Sequence, residues 1–259
     1  MADRRGLPFS YTHPIAGRFV YHPSDYLSRR LFLYDDFERE ELQFAVEHAR
    51  AGGTILDVGA NVGLYTVACA HAAGSHGRVI AIEPGPGTFA KLKSTCSRLR
   101  LSNVTPLAVA ASRVNGIAHL LVRHDGRDVH QHLTDGRHGG GDNVAVETRR
   151  LDELCGADHD AVTLVKIDVE GHEVSVLEGA PRILGGRRAS LIVEFYPAGL
   201  ASAGASAAQL WELLRSTHEC IAVLRGDGSH QPPRLASIMA LQAQDAFNTL
   251  WVPRRSLAA

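Results

Sequence analysis

The stretch Thr54-Ile-Leu-Asp57-Val-Gly59-Ala-Asn-Val-Gly63 decides the fold of this chain. Residues 54–58 form an apolar run of strand length, and glycines follow at positions 59 and 63. Glycine lets the backbone turn with positive φ and approach a ligand closely. The helical pattern of Leu64–Ala73 begins directly afterwards. The stretch therefore predicts a strand, a glycine-rich turn and a helix whose N-terminus faces the turn.

Outside this unit, strand-like and helix-like runs alternate along the chain. Further strands are predicted at residues 78–83, 104–110, 163–168, 190–195, 220–224 and 248–252. Helices are predicted at residues 86–99 and 174–184, and after the capping pair Ser206 and Gln209. Such alternation builds a mostly parallel sheet covered by helices on both faces. We predict an α/β, Rossmann-like, doubly wound sheet of seven strands.

The pattern predicts one main domain, residues 51–259, after an N-terminal lead-in segment, residues 1–50. Within the lead-in segment a helix is predicted from about residue 37 to residue 50, capped by Asp35 or Asp36. Between the third and fourth strands, at about residues 116–150, two short strands flank a polar stretch. We interpret this insertion as a hairpin or lid, with residues 123–143 as its mobile part.

Composition argues against several kinds of partner. The 27 basic and 28 acidic residues give a net charge of -1, so we expect no nucleic-acid partner. No apolar run reaches the roughly 20 residues of a membrane span, and none near Met1 reads as a signal peptide. We expect no membrane partner and a cytoplasmic location. The four cysteines are scattered and are predicted to be reduced thiols. The oligomeric state stays open.

The glycine turn and the end of the second strand together predict a cofactor site. Glu83-Pro84 lies 20 residues after Gly63, where doubly wound folds hold ribose hydroxyls. The loop lacks the Gly-x-Gly-x-x-Gly pattern of dinucleotide sites, and Asp57 would repel a phosphate. An acid there suits the ammonium group of S-adenosylmethionine. The predicted cofactor-binding residues are Asp57, Gly59, Ala60, Asn61, Gly63, Glu83, Pro84 and Asp168, with the Glu83 carboxylate accepting both ribose hydroxyls.

Three blocks of the sequence resemble a known family. They are the segment Asp57 to Thr66, the triplet Ile82-Glu83-Pro84, and the run Val165-Lys-Ile-Asp168-Val-Glu-Gly-His172-Glu173. Together they resemble the FkbM-type family of S-adenosylmethionine-dependent methyltransferases over roughly residues 37–195. The resemblance implies a class I methyltransferase fold and, most often, methylation of a hydroxyl oxygen on a natural product or sugar. It does not identify the hydroxylated small-molecule acceptor.

Acids at the ends of the fourth and fifth strands predict the acceptor side of the site. If the strands follow the methyltransferase order they are neighbours about 4.8 Å apart, which brings Asp168 close to Glu194. We predict that Asp168, Glu194 and His172 are catalytic, taking the acceptor's proton directly or through a divalent cation such as magnesium. Neither magnesium nor any metal ligand is assigned. Lys166, on the same strand face as Asp168, is interpreted as its ion partner.

Four histidines in the insertion, at positions 124, 130, 132 and 138, raise the question of a metal site. Their surroundings, Gly136-Arg-His-Gly-Gly-Gly-Asp142, are too glycine-rich to hold fixed geometry, so we assign none.

Two other functions remain as alternatives. A nicotinamide-dependent oxidoreductase would need the dinucleotide loop and commonly a Tyr-x-x-x-Lys pair, and none of the six tyrosines has Lys at that spacing. A non-catalytic adaptor that retains the fold would not need the charges of Asp57, Glu83 and Asp168.

Overall fold

The computed structural model describes residues 7–34, 37–122, 132–134, 142–157, 159–225, 230–231, 234–239 and 246–254. The strands are β1 Phe9–His13, β2 Gly17–Tyr21, β3 Gly53–Val58, β4 Gly77–Ile82, β5 Val104–Leu107, β6 Ala110–Ser112, β7 Gly116–Val122, β8 His132–Thr134, β9 Asp142–Arg150, β10 Val162–Ile167, β11 Ser190–Phe195, β12 His218–Arg225, β13 His230–Gln231 and β14 Phe247–Pro253. The helices are α1 Tyr26–Tyr34, α2 Arg39–Arg50, α3 Leu64–Ala73, α4 Pro86–Leu99, α5 Leu151–Leu154, α6 Glu173–Glu178, α7 Pro181–Gly186, α8 Pro197–Ser202, α9 Ala207–Arg215 and α10 Leu235–Met239.

The main sheet has the strand order β13-β12-β14-β11-β10-β3-β4-β5. Strands β11, β10, β3, β4 and β5 pair in parallel, whereas β14 is antiparallel to both of its neighbours. The two-residue β13 extends the edge beyond the seven predicted strands. The predicted α/β, mostly parallel, doubly wound sheet is confirmed.

Apolar side chains cover both faces of this sheet. On one face Trp211 and Trp251 belong to a buried cluster with residues of β10 and β11. On the other face Phe19, Leu31 and Leu42 of the N-terminal segment share a core with residues of β3 and α3. Strands covered on both sides need apolar residues at nearly every position, which explains why 54–58 and 190–195 read as continuous apolar runs. The division into a lead-in segment and a main domain stays a prediction.

The N-terminal segment forms a β1–β2 hairpin and helix α1, neither of which was predicted. Rings of Phe9, Tyr11, Tyr21 and Phe32 pack together, with Phe9 and Tyr21 centroids 4.8 Å apart. Helix α2 begins at Arg39, and the residue before it, Glu38, is left-handed with φ 48°. The predicted caps at positions 35 and 36 lie outside the described residues.

The strands of the insertion, β7, β8 and β9, form a second sheet together with β6, in the order β6-β9-β7-β8. The prediction of a single strand over residues 104–110 was wrong. The chain leaves the main sheet after Leu107, and Ala110–Ser112 pairs with β9 instead. Ala110 is buried with Leu120 and Val146 in a small apolar cluster of the insertion, and this burial favours the second sheet. Of the predicted lid, residues 123–131 and 135–141 lie outside the described residues.

The prediction of a single helix over residues 174–184 was also wrong, because α6 ends at Glu178 and a separate helix, α7, starts at Pro181. Proline lacks an N–H and its ring clashes with the preceding helical turn, so it begins a helix rather than continuing one. At Gly179 a Cβ would lie 2.1 Å from the Ser112 carbonyl oxygen, so the bend also brings two backbones into close approach. The cap of α9 is as predicted, since the Gln209 N–H donates to Ser206 Oγ at 3.2 Å.

Candidate active site

A cavity opens at the carboxyl ends of β3, β4 and β10, where ligands bind in open α/β sheets. It encloses about 960 Å³ of space, part of it open to solvent. The predicted site residues in its wall are Gly59, Ala60, Asn61, Glu83, Pro84, Asp168 and His172. Asp57, Gly63 and Glu194, also predicted, lie outside that wall.

The glycine turn packs tightly against the end of β10. Gly59 has φ 79°, and a Cβ at this position would lie 1.8 Å from the Asp168 carbonyl oxygen. The N–H groups of Gly59 and Ala60 both donate to the Ile82 carbonyl, at 2.9 and 3.0 Å. Gly63, with φ 98°, is the residue before α3. Only glycine fits such a position without strain, so the backbone itself forms this wall of the cavity.

The Glu83 carboxylate anchors the turn from the end of β4. Its Oε2 accepts from Asn61 N–H at 2.9 Å, and its Oε1 accepts from Gly85 N–H at 2.8 Å and Thr88 Oγ1 at 2.6 Å. Burial raises the pKa of Glu83. A carboxylate offers about four lone-pair positions. These three bonds leave room for one further donor, so accepting both ribose hydroxyls would require one bond to be shared or exchanged.

Asp57 lies beneath the turn and is 1% exposed. Its Oδ2 accepts from Thr66 Oγ1 at 2.5 Å, while Oδ1 is buried without a hydrogen-bond partner among the described residues. Burial raises the pKa of Asp57. A buried carboxylate oxygen without a donor is unfavourable, and the positive charge of a ligand ammonium group above the turn would stabilise this carboxylate electrostatically.

Lys166 joins the turn to the acceptor side. Its Nζ donates to Asp168 Oδ2 at 3.0 Å and to the Gly59 carbonyl at 3.1 Å, which confirms the predicted ion pair. Burial disfavours the charge of Lys166, but the carboxylates of Asp168, Asp57 and Glu38 outweigh it and raise the pKa. Lys166 is therefore a permanent cation in the wall of the cavity.

Glu194 and Asp168 are side by side, as the predicted strand order requires. Ile167 pairs with Val193 in the parallel register of β10 and β11, and the two acids are the next residues on their strands. Glu194 Oε2 is buried without a hydrogen-bond partner among the described residues. Burial, then the charges of Asp168 and Glu170, raise the pKa of Glu194 well above its ordinary value. Glu194 therefore holds a proton more readily than an ordinary glutamate, while the neighbouring Asp168 is paired with Lys166.

The turn after β10 brings two more titratable residues to the site. His172 lines the cavity as the residue before α6. The Oε1 of Glu173, in the first turn of α6, accepts from Val169 N–H at 3.2 Å and Gly171 N–H at 3.0 Å. Burial raises the pKa of Glu173 to about 7.

Glu38 and Tyr65, for which the sequence predicted no role in the site, also line the cavity. The Tyr65 hydroxyl donates to Glu38 Oε2 at 2.8 Å, and Asn248 Nδ2 donates to Glu38 Oε1 at 3.1 Å. No local pattern signals a contact between residues 210 positions apart in sequence, such as Glu38 and Asn248. Tyr65 lies in the first turn of the helix after the glycines, within the motif Asp57 to Thr66, so its position next to the site could have been predicted from the sequence.

Among the described residues no group of three or more His, Cys, Asp or Glu side chains is arranged to hold a metal ion. Of the four histidines in the insertion, only His132 falls in this part of the chain. None of the described helices is both long and apolar enough to span a membrane.

Comparison with known proteins decides the family. The family model of the methyltransferase FkbM domain matches residues 57–220, which include the turn, Glu83, Lys166, Asp168 and Glu194. The chain belongs to the FkbM methyltransferase family. This is a family of methyltransferases, not of nicotinamide-dependent oxidoreductases.

The hexuronic acid methyltransferase AglP of Haloferax volcanii is 30% identical to this FkbM-family chain over 149 residues. That alignment covers 57% of this chain and 58% of the relative, so the chain spans less than two thirds of AglP. The crystal structure of methyltransferase FkbM from Methylobacillus flagellatus superposes with a TM-score of 0.50 at 18% identity, covering 77% of this chain and 43% of that one. A SAM-dependent methyltransferase from Aquifex aeolicus gives a TM-score of 0.46 at 16% identity, covering 86% and 91%.

Proposed function

We propose that this FkbM-family enzyme transfers the methyl group of S-adenosylmethionine to a hydroxyl oxygen of a small molecule, a natural product or a sugar. The observation that carries the proposal is the pair Asp168 and Glu194 at adjacent strand ends, with the Asp168 backbone packed against the glycine turn. An acceptor hydroxyl must lose a proton as it gains a methyl group, and Asp168, which lines the cavity with Glu194 beside it, is placed to take that proton. Methylation of a hexuronic acid by AglP is consistent with a sugar acceptor.

The residues of the turn fit the cofactor. When bound, S-adenosylmethionine supplies a methyl group made electrophilic by its sulfonium. The backbone from Gly59 to Gly63 would cradle the donor, Glu83 would accept a ribose hydroxyl, and Asp57 would face the ammonium group. Ala60 and Pro84 complete the same wall. The orphaned Asp57 Oδ1 and the remaining acceptor position on Glu83 support this assignment.

The acceptor side supplies the proton transfer. Asp168, whose Oδ2 accepts from Lys166 Nζ at 3.0 Å, would take the proton, while Glu194 beside it would hydrogen-bond and orient the acceptor hydroxyl. His172 lies in the cavity wall as a second base. Positioned bases of this kind contribute about 10²- to 10⁴-fold to rate, so proton removal accounts for a large part of the catalysis assigned to the protein.

Incubation with methyl-labelled S-adenosylmethionine and a panel of hydroxylated metabolites tests the proposal. The panel pairs neutral sugars with the corresponding hexuronic acids, and adds hydroxylated natural products and amines. Label is expected in a hydroxylated compound. Label that enters only amines would contradict the proposal.

Glu83→Ala is expected to weaken binding of S-adenosylhomocysteine about 10- to 100-fold, because a hydrogen bond to a charged acceptor contributes about 1.5 to 3 kcal/mol. Calorimetric titration measures this. Glu212→Ala, which removes an exposed glutamate from α9, is the matched control and should bind like the wild type. Unchanged affinity in a folded Glu83→Ala protein would remove Glu83 from the cofactor site.

A chelator tests the divalent-cation alternative. Asp168 Oδ2 already accepts from Lys166 Nζ at 3.0 Å, so a cation would have to compete with an ammonium group for that oxygen. We expect full methyl transfer in excess EDTA. Activity that disappears with EDTA and returns with magnesium would replace direct proton transfer by the metal-assisted route.

A further inference from the structure

Glu38 is the carboxylate that the N-terminal segment brings to the wall of the cavity. Its backbone is left-handed, with φ 48°, and α2 begins at the next residue. Donors from two distant elements hold its oxygens, Tyr65 OH on α3 and Asn248 Nδ2 on β14. The side chain is therefore fixed in the cavity rather than free in solvent.

The cavity carries an excess of negative charge. Its wall includes the carboxylates of Glu38, Glu83 and Asp168, whereas Lys166 is the single lysine or arginine among the described residues that line it. Lys166 already balances Asp168, at 3.0 Å. Carboxylates gathered in a partly buried wall repel one another, so such a cavity favours a ligand that brings positive charge.

We propose that Glu38 is a specificity-determining residue of the cofactor site, whose carboxylate favours the cationic donor S-adenosylmethionine over its uncharged-sulfur product S-adenosylhomocysteine. This inference rests on the proposed function. In the reaction the bond from methyl carbon to sulfur breaks and its electron pair stays on sulfur, while the acceptor oxygen bonds the methyl carbon and loses its proton. The sulfonium charge disappears, so the attraction of Glu38 for the ligand weakens as the product forms.

The environment of Glu38 makes this preference sensitive to pH. The groups that face it are Asp168, Lys166, Glu41, Tyr65 and the amide of Asn248. Burial, then the charge of Asp168, raise the pKa of Glu38 to about 7, while Lys166 and the Tyr65 hydroxyl lower it. Because a carboxyl group is charged above its pKa, the preference for the cationic donor should grow as pH rises through 7.

Calorimetric titration of wild type and Glu38→Gln with S-adenosylmethionine and S-adenosylhomocysteine tests the inference without an acceptor. In Glu38→Gln the affinity ratio of donor to product is expected to fall about tenfold, which corresponds to about 1.4 kcal/mol. Affinity for S-adenosylhomocysteine should change little. Glu40→Gln, which removes an exposed charge two residues away on α2, is the matched control and should keep the wild-type ratio.

An equal loss for both ligands, or an unchanged ratio, would overturn the role of Glu38. If Glu38→Gln does not fold by circular dichroism, Tyr65→Phe replaces it, because this variant keeps the carboxylate but removes a bond that lowers its pKa. The pH midpoint of the affinity ratio should then move upward, and an unmoved midpoint would overturn the proposal. Wild type that binds neither ligand would instead contradict the proposed cofactor, which separates the two failures.

Discussion

Asp168→Asn is expected to lower the turnover of methyl transfer by about 10²- to 10⁴-fold, the range measured for loss of a positioned base. Asparagine keeps the shape and still accepts from Lys166 Nζ, but it cannot take a proton. The loss should therefore appear in turnover at saturating donor, while affinity for S-adenosylhomocysteine stays near that of the wild type. Glu194→Gln should lower turnover less, because glutamine keeps the size of the side chain and can still hydrogen-bond the acceptor hydroxyl.

Rapid-quench measurement of a single turnover separates the chemical step from product release in these variants. Asp160→Asn is the control, because its side chain is exposed and lies in the turn before β10 rather than after it. If Asp168→Asn and Glu194→Gln both turn over at nearly the wild-type rate, neither acid takes part in proton removal. His172 would then be the remaining predicted base in the wall.

Gly59→Ala is expected to lower the free energy of unfolding by about 2 to 5 kcal/mol, the sum of a left-handed backbone at an L-residue and a steric clash. The added Cβ would lie 1.8 Å from the Asp168 carbonyl oxygen, so either the turn or the end of β10 must move. That movement would also displace Lys166, whose Nζ bonds the Gly59 carbonyl. In Gly59→Ala, therefore, both the free energy of unfolding and the affinity for the cofactor should be lower than in the wild type.

Urea unfolding with calorimetric titration measures both effects of Gly59→Ala. Gly87→Ala is the matched control, because Gly87 is in α4, has no atom within 4 Å of the new Cβ and has no positive φ. We expect Gly87→Ala to be neutral or stabilising, since alanine favours a helix over glycine. A Gly59→Ala protein as stable as Gly87→Ala would mean that the turn does not pack against β10 as described.

The sequence pattern predicted correctly those helices and strands whose ends and type are determined by neighbouring residues. Helices Leu64–Ala73 and Pro86–Leu99 have the predicted ends, because a glycine or a proline marks where each begins. The parallel strands were evident because both faces of the sheet are covered and select apolar residues throughout. The turn, Glu83 and Asp168 were predicted to converge because strand ends meet at one edge of such a sheet.

Features that depend on long-range packing were not predictable in this way. The β1–β2 hairpin is held in place by aromatic rings that meet across the N-terminal segment. Its residues show no periodicity decisive enough to predict two strands. The break after Leu107 depends on burial of Ala110 with Leu120 and Val146. Glu38 stands in an acidic run that reads as a solvated helix start, and only Tyr65 and Asn248 place it in the cavity.

The position of the transferred methyl group decides whether the enzyme methylates oxygen. Product made from S-adenosylmethionine labelled with carbon-13 in its methyl group can be read by NMR, which distinguishes methyl carbons bonded to oxygen, nitrogen and carbon. The account predicts a methyl group on a hydroxyl-derived oxygen of a small molecule, formed by the wild type and strongly reduced in Asp168→Asn. A product whose new methyl group is bonded to nitrogen or carbon would contradict it.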